Sequence, residues 1–168
     1  MGYVEETGVA QYLRDARIAP IYAGTNGIQA LDLTLKKIHI DEGKVVNNLF
    51  DEMISVSNEL NKSDILSKLT ESYQFHIKNL MESTEKVRKL MINGNQKSIS
   101  GFASPYTKMF GQVLGGYYMA KAAVIADKKY KETGEEYYKD KITLSKFYIE
   151  QLLPLSVTNM PPIDSDVD

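Results

Sequence analysis

Apolar side chains recur at three- and four-residue spacing along most of this sequence, and that spacing constrains the fold more than any other feature. Residues three or four apart lie on one face of an α-helix, whereas a half-buried strand alternates apolar and polar residues. No stretch with strand-like alternation competes with the helical spacing. The sequence therefore predicts an all-α fold, an antiparallel helical bundle of about six helices joined by short connections.

Turn and capping residues between the apolar stripes predict where the helices begin and end. The helices are expected over about 5–18, 25–40, 44–60, 63–92, 104–131 and 136–154. Pro20 is expected to end the first helix, because proline removes a hydrogen bond from a helix interior. Ser63 and Ser104 are expected N-caps, and Pro105 would occupy the first position of the fifth helix.

Residue types also predict how the helices pack. Gly115 and Gly116 lie inside the fifth helix, where each glycine costs about 1 kcal/mol relative to alanine. A neighbouring helix is therefore expected to pack closely against them, the alternative being a break of the helix there. Two sets of side chains are expected to face inward: Val9, Leu13 and Ala16 in the first helix, and Tyr138, Ile142, Tyr148, Ile149 and Leu152 in the sixth.

Length and composition exclude several classes of protein. The 168 residues, 43% of them apolar, fit one compact domain or two small helical units. A net charge of −2 gives no electrostatic footprint for nucleic acid or an anionic membrane. The absence of cysteine excludes a disulfide scaffold and a thiolate metal site. No apolar stretch is long enough to span a bilayer and the first residues do not resemble a signal peptide, so a cytoplasmic protein is expected.

The break at Asp41-Glu42-Gly43 is the predicted domain boundary. It separates a first unit, residues 1–40, from a second unit, residues 41–155. Residues 156–168 contain Pro161-Pro162 and end in acidic and small residues, and they are expected to form a mobile tail.

The turn between the first two helices is the strongest candidate site. Gly24, Thr25 and Asn26 supply turn and N-cap residues, and Gly24 and Gly27 allow a ligand to approach the backbone. The N–H groups of residues 24–27 are first-turn donors at the positive end of a helix dipole, which suits an anion or a polarised carbonyl. Taken alone, such a turn more often only joins two helices.

Three segments resemble the acyl-CoA dehydrogenases, flavoenzymes that introduce a double bond next to a thioester. Residues 14–33, RDARIAPIYAGTNGIQALDL, resemble the C-terminal catalytic segment of that family. Residues 2–8, GYVEETG, resemble the end of its glycine-rich segment, which would make Met1 an internal family position. Residues 104–118 resemble the extra helical C-terminal domain of the methylmercaptopropionyl-CoA dehydrogenase-like branch.

The resemblance implies two sets of site residues. The set implied to contact FAD is Gly2, Thr25, Asn26 and Gly27, and the set implied to border the thioester of an acyl-CoA is Tyr22, Ala23 and Gly24. Gly2 would contact the FAD of a neighbouring subunit. Gly27 stands where many relatives have glutamine. No catalytic residue and no metal ligand are assigned.

Ala23 is the most informative departure from the family pattern. In the commonest form of the family this position is the glutamate that removes the α-proton, and alanine cannot accept a proton. In the isovaleryl and long-chain enzymes the position is small and a glutamate on an upstream helix is the base. The alternative is decay or inactivation of the site. The rest of the motif favours this alternative, because it follows the branch of the family that has its base at this position.

Three functional hypotheses follow. The first is the C-terminal part of an FAD-dependent acyl-CoA dehydrogenase that is inactive alone, because the N-terminal and middle domains have no counterpart here, and that requires a polypeptide carrying them. The second is a non-catalytic helical module for homo-oligomerisation or partner binding, and the third is a remnant of gene decay. Residues 2–40 would leave apolar faces without partners unless they fold onto residues 44–153 or onto a second copy of the chain, and self-association is expected.

Outside this segment the candidate sites are weak. His76 is expected to be a packed polar residue, and His39 a helix-end cap. The 11 tyrosines fall at core spacing or beside lysines, which indicates packing with the hydroxyls reaching water. The acidic clusters on the later helices are typical of solvated helix faces.

Overall fold

A computed structural model of the chain describes residues 4–22 and 26–159, which contain helices and turns and no strand. The α-helices of this part are α1 (Val9–Tyr22), α2 (Asn26–Leu35), α3 (Lys44–Asn61), α4 (Thr70–Ile92), α5 (Gln96–Thr133) and α6 (Glu136–Phe147). Short 3-10 segments cover Glu5–Thr7, Lys37–Gly43, Ser67–Leu69 and Leu153–Asn159, and a π-helix covers Tyr148–Leu152. The all-α prediction is confirmed.

The long helix α5 lies at the centre of the bundle and packs against α2, α3, α4, α6 and the C-terminal 3-10 segment. Two buried tyrosines connect the helices around it. The Tyr73 hydroxyl donates to the Met53 carbonyl at 3.2 Å, and the Tyr106 hydroxyl lies 2.7 Å from the Thr84 hydroxyl. Each of these tyrosines is fully buried, so protein atoms and not water satisfy their hydroxyls, contrary to expectation.

The helix α4 begins at Thr70, seven residues later than the sequence predicted. Ser63 instead stabilises the turn that follows α3: its hydroxyl accepts a hydrogen bond from the Leu66 N–H at 3.4 Å, and its carbonyl accepts one from the Ser67 N–H. Leu66 is fully buried in the core. Ser63 thus caps a separate turn ahead of α4, and local capping preferences do not distinguish this turn from the first turn of a long helix.

The helix α5 begins at Gln96 and continues through Pro105, so the expected start at Ser104 is wrong. A proline inside a helix costs about 3 kcal/mol, because a hydrogen bond is lost and the ring crowds the preceding turn. Ile99 and Phe102, in the turns before the proline, are 0% and 6% exposed. Their burial offsets the cost of the proline and keeps this segment helical.

The helix α1 also departs from prediction. Its backbone continues past position 20 to Tyr22, and the residues expected to face inward are exposed, with Val9 50% and Leu13 58% exposed and Ala16 exposed as well. Within the described residues α1 packs mainly against the 3-10 turn before it, and Ala10 is buried there. The apolar side of α1 therefore faces solvent.

The second helix ends at Leu35, not at residue 40, and the chain then turns sharply. Asp41 and Glu42 have φ of 50° and 56°, a conformation that non-glycine residues adopt rarely. The Arg88 guanidinium, from α4, lies over Gly43 and donates a hydrogen bond to the Glu42 carbonyl. His39 caps the end of α2 as predicted, with Nε2 2.9 Å from the Thr34 carbonyl.

The paired glycines of α5 do lie against a neighbouring helical segment. A Cβ at Gly115 would collide with the Tyr148 hydroxyl, and one at Gly116 would lie 3.0 Å from a methyl carbon of Leu153. A π-turn adds a residue to the helical turn and so shifts the register. This shift explains why Leu152, expected to face inward, is 39% exposed while Leu153 is fully buried.

The ordered chain extends beyond residue 155, where the tail was expected to begin. Residues Leu153–Asn159 form a 3-10 helix in which Ser156 is fully buried. The rest of the expected tail, residues 160–168, lies outside the described residues.

Candidate functional site

Two of the predicted site residues, Asn26 and Gly27, are fully described, and they are the first two residues of α2. Tyr22 is the last residue of α1, and its side chain is outside the described part. Gly2, Ala23, Gly24 and Thr25 lie outside the described residues altogether. Their assigned roles therefore remain predictions.

A cleft of about 300 Å³ opens beside Asn26, between the first turn of α2 and α5. Its lining consists of Asn26, Gln29 and Ala30 from α2 and Ser104, Thr107 and Lys108 from α5. Each set has helical spacing of three or four residues, so each helix contributes one face. The cleft is thus built at the crossing of these two helices.

The packing of α2 on α5 positions the cleft. Ala30 and Thr34 lie on the inner side of α2 and are 1% and 0% exposed. The Thr34 hydroxyl donates to the Ala30 carbonyl at 2.8 Å, which satisfies a polar group that would otherwise be buried at a cost. Small side chains on this face allow the helices to approach, and they leave Asn26 and Gln29 at the rim.

The cleft has the chemistry of a binding surface for anionic or polarised groups. The start of α2 carries the positive end of the helix dipole, and the Lys108 ammonium adds a full positive charge. The amides of Asn26 and Gln29 can donate and accept hydrogen bonds. No carboxylate and no histidine is among the residues that line the cleft.

The described residues do not hold a complete flavin dinucleotide. Asn26, Gln29, Ser104 and Lys108 are all exposed, and a Cβ built on Gly27 would meet no atom within 4 Å. Cofactor sites usually bury most of the ligand surface. This part of the chain therefore offers one wall with suitable donors, and it lacks the opposing wall that would enclose a flavin.

His76 behaves as a packed polar residue, as expected. It is 4% exposed, and its Nδ1 lies 2.9 Å from the Ser156 hydroxyl. Burial lowers the pKa of this imidazole. Within the described ranges no group of three His, Cys, Asp or Glu residues is arranged to bind a metal ion, and no helix is long and apolar enough to cross a membrane.

Sequence reasoning missed four residues that line the cleft: Gln29, Ser104, Thr107 and Lys108. Ser104 was assigned to a helix N-cap, whereas it lies within α5. The available signal was the stripe of polar residues at 104, 107 and 108, which has helical spacing. That stripe marks a face, but only the tertiary contact with α2 makes it part of a cleft.

Comparisons with known proteins agree with the fold. The profile of the family described as "Acetyl-CoA dehydrogenase C-terminal like" matches residues 47–165. The chain is 30% identical over 161 residues to 3-methylmercaptopropionyl-CoA dehydrogenase of Ruegeria pomeroyi, a match that covers 91% of this chain and 26% of the relative. It is 24% identical, with the same coverage, to butyryl-CoA dehydrogenase of Syntrophomonas wolfei.

The chain thus spans about a quarter of the length of the curated relatives it matches. The profile matches well over half of the chain and covers all of α4, α5 and α6. By this match the chain belongs to the acyl-CoA dehydrogenases, in the family of acetyl-CoA dehydrogenase C-terminal-like domains.

Proposed function

We propose that this chain is the C-terminal part of an FAD-dependent acyl-CoA dehydrogenase and works only together with the remaining domains of such an enzyme. The observation that carries the proposal is the coverage of the match. Almost all of this chain, 91%, aligns with relatives named as acyl-CoA dehydrogenases, yet it accounts for 26% of their length. The assembled enzyme would dehydrogenate an acyl-CoA thioester at its α,β-bond.

The open cleft at the start of α2 supports a site that other domains complete. Bound FAD would supply the oxidant for the dehydrogenation. Asn26, Gln29 and Lys108 would contribute hydrogen bonds and positive charge on one side of the bound groups. The residues implied by resemblance to border the thioester, Tyr22, Ala23 and Gly24, would lie at the same end of α2. The remaining domains of the enzyme would close the site from the other side.

The chain alone is proposed to be inactive. Removal of an α-proton requires a base within hydrogen-bond reach of the substrate carbon. The methyl side chain of Ala23 accepts no proton, and the described cleft offers no carboxylate or imidazole in its place. A base would have to come from the remaining domains.

The exposed apolar side of α1 supports the need for a partner. Tyr12 is 78% exposed, Leu13 58% and Val9 50%. Burial of apolar surface stabilises an assembly by about 25 cal/mol per Å², so a face of this composition favours association. The remaining domains of the enzyme are the proposed occupant, and a second copy of the chain is the alternative.

Flavin binding tests the proposal. The purified chain is titrated with FAD alone, and again together with a polypeptide comprising the part of the Ruegeria pomeroyi relative that this chain does not match. Flavin fluorescence and the visible spectrum report binding, and bleaching after addition of an acyl-CoA reports dehydrogenation. We expect saturable binding and bleaching only with both polypeptides present.

Each other outcome argues against a part of the proposal. Bleaching by the chain alone would show that the chain rebuilds a working site without the missing domains. Failure of the two polypeptides to associate, with the chain sedimenting as a homo-oligomer, would favour the non-catalytic oligomerisation module.

A further inference from the structure

A second cleft lies between the C-terminal end of α3 and the C-terminal half of α5, and the proposed function makes no use of it. Its volume is about 160 Å³. The lining residues are Glu59, Lys62, Ser63, Leu66, Val124, Asp127, Lys128 and Lys131. Charged side chains thus surround a floor that includes two apolar residues.

Asp127 is the unusual residue of this cleft. It is 4% exposed, and its Oδ2 accepts a hydrogen bond from the Lys131 ammonium at 2.8 Å. Its Oδ1 is also buried, and no described residue donates a hydrogen bond to it. A buried carboxylate oxygen without a donor is unfavourable, and a donor from outside the chain, a water or a ligand, would satisfy it.

The lysines around Asp127 outnumber the carboxylates. Lys62 and Lys128 both pair with Glu59, and Lys131 pairs with Asp127. Three ammonium groups and two carboxylates leave one excess positive charge, in a cleft whose walls include Leu66 and Val124. The three lysine side chains are 71%, 64% and 58% exposed, so each can turn toward a ligand without losing buried packing.

We propose that this cleft binds a small oxyanion that carries its own O–H group, with hydrogen phosphate as the simplest member of the class. The phosphate oxygens would accept hydrogen bonds from the lysine ammonium groups, and the P–OH would donate to Asp127 Oδ1. One ligand would then supply both the negative charge that the lysines attract and the hydrogen-bond donor that Asp127 Oδ1 lacks. A volume of about 160 Å³ admits a phosphate with a short polar substituent and is too small for a nucleotide.

Inorganic phosphate is the probe, and sulfate is the comparison anion. At about pH 7 both carry negative oxygens, but phosphate retains an O–H and sulfate does not. The ¹⁵N-labelled full chain is titrated with each anion at equal ionic strength, and the backbone amide shifts of residues 59–66 and 124–131 are followed. We expect saturable shifts with phosphate, at least about tenfold tighter than with sulfate. Shifts that do not saturate, or equal affinity for the two anions, would overturn the proposal.

The substitution Asp127→Asn tests the carboxylate directly, because the amide places a donor where the proposal requires an acceptor. This variant is expected to lose the preference for phosphate and to bind sulfate as tightly. The control is Asp140→Asn, which changes an exposed carboxylate on α6 outside the cleft and should leave both affinities unchanged.

A second substitution covers the case in which Asp127→Asn does not fold. Lys128→Gln removes an exposed ammonium and leaves Asp127 intact. It should weaken both anions by a similar factor while the preference for phosphate persists. Unchanged phosphate affinity in Lys128→Gln would show that the anion binds elsewhere.

Discussion

At the scale of single residues, the core is held by polar groups as well as by apolar packing. Tyr73 and Tyr106 are fully buried, and burial raises the pKa of both phenols. Each has a protein partner for its hydroxyl, the Met53 carbonyl and the Thr84 hydroxyl respectively. The spacing of these tyrosines predicted their burial, but their partners are 20 and 22 residues away in the sequence and no local pattern predicts them.

His76 makes stability depend on pH. Burial lowers the pKa of its imidazole in the folded state, so below about pH 6.5, its ordinary pKa, the unfolded chain binds a proton that the folded chain does not. The contribution of neutral His76 to the free energy of unfolding is therefore fully present above this pH and decreases as the pH falls. Urea unfolding at pH 7.5 and 5.5 should show a loss of at most about 1.4 kcal/mol from this residue.

His76→Gln should reduce that loss, whereas His39→Gln, at the half-buried cap of α2, should retain it. An unchanged loss in His76→Gln would assign the pH dependence to other groups.

Gly115 has no room for a side chain. An added Cβ would collide with the Tyr148 hydroxyl, which donates a hydrogen bond to the Gln112 carbonyl at 3.1 Å. Gly115→Ala should therefore lower the free energy of unfolding by about 1–2 kcal/mol, despite the higher helix propensity of alanine. Chemical denaturation measures the change.

Gly111→Ala is the matched control, because a Cβ there meets nothing within 4 Å and should stabilise the helix by up to about 1 kcal/mol. In a Tyr148→Phe background, Gly115→Ala should cost less. An equal loss of stability in both backgrounds would show that the added Cβ does not collide with the Tyr148 hydroxyl.

At the scale of elements, the helix α5 shows how tertiary packing overrides local signals. The pair Ser104-Pro105 is a favourable helix start by sequence, and the structure places it nine residues into a 38-residue helix. Ile99 and Phe102 are buried before it. The energy of burying these two side chains exceeds the penalty of an internal proline.

The substitution Pro105→Ala distinguishes a helix that runs through residue 105 from one that begins at Ser104. If the helix runs through residue 105, alanine restores a backbone N–H to the helix and removes the crowding of the preceding turn, and stability should rise by about 1–3 kcal/mol. If the helix began at Ser104, the same change would remove a favourable first-turn proline and stability would stay the same or fall. Urea unfolding monitored by far-ultraviolet circular dichroism separates these results.

At the scale of the whole molecule, the helices from α2 onward share one core. Ile38, in the turn after α2, belongs to this core, and Leu33 and Leu35, near the end of α2, pack against it. The predicted boundary at Asp41-Glu42-Gly43 coincides with a sharp turn, and the division into two domains remains a prediction. The helix α1 is the exception, since its apolar side is exposed. The assembly proposed above would cover it.

Tyr12→Asp tests whether α1 is the contact surface. A charge at this 78% exposed position should abolish association with the partner polypeptide, because a carboxylate would have to be buried in an apolar contact. The matched control is Tyr137→Asp, at a 61% exposed tyrosine of α6. Sedimentation of the mixed polypeptides measures the effect, and equal losses in both variants would count against α1.

The helical fold, most of the apolar core positions and the family could be predicted from sequence, because periodicity and short motifs are local properties. The sequence also located Asn26 and Gly27 at the start of α2. Three features became known from the folded chain alone: where α4 and α5 begin, which side of α1 is exposed, and that Ser104 and Lys108 lie beside the start of α2. These features depend on side-chain burial between segments far apart in the chain, and that burial outweighs local preferences of about 1–3 kcal/mol.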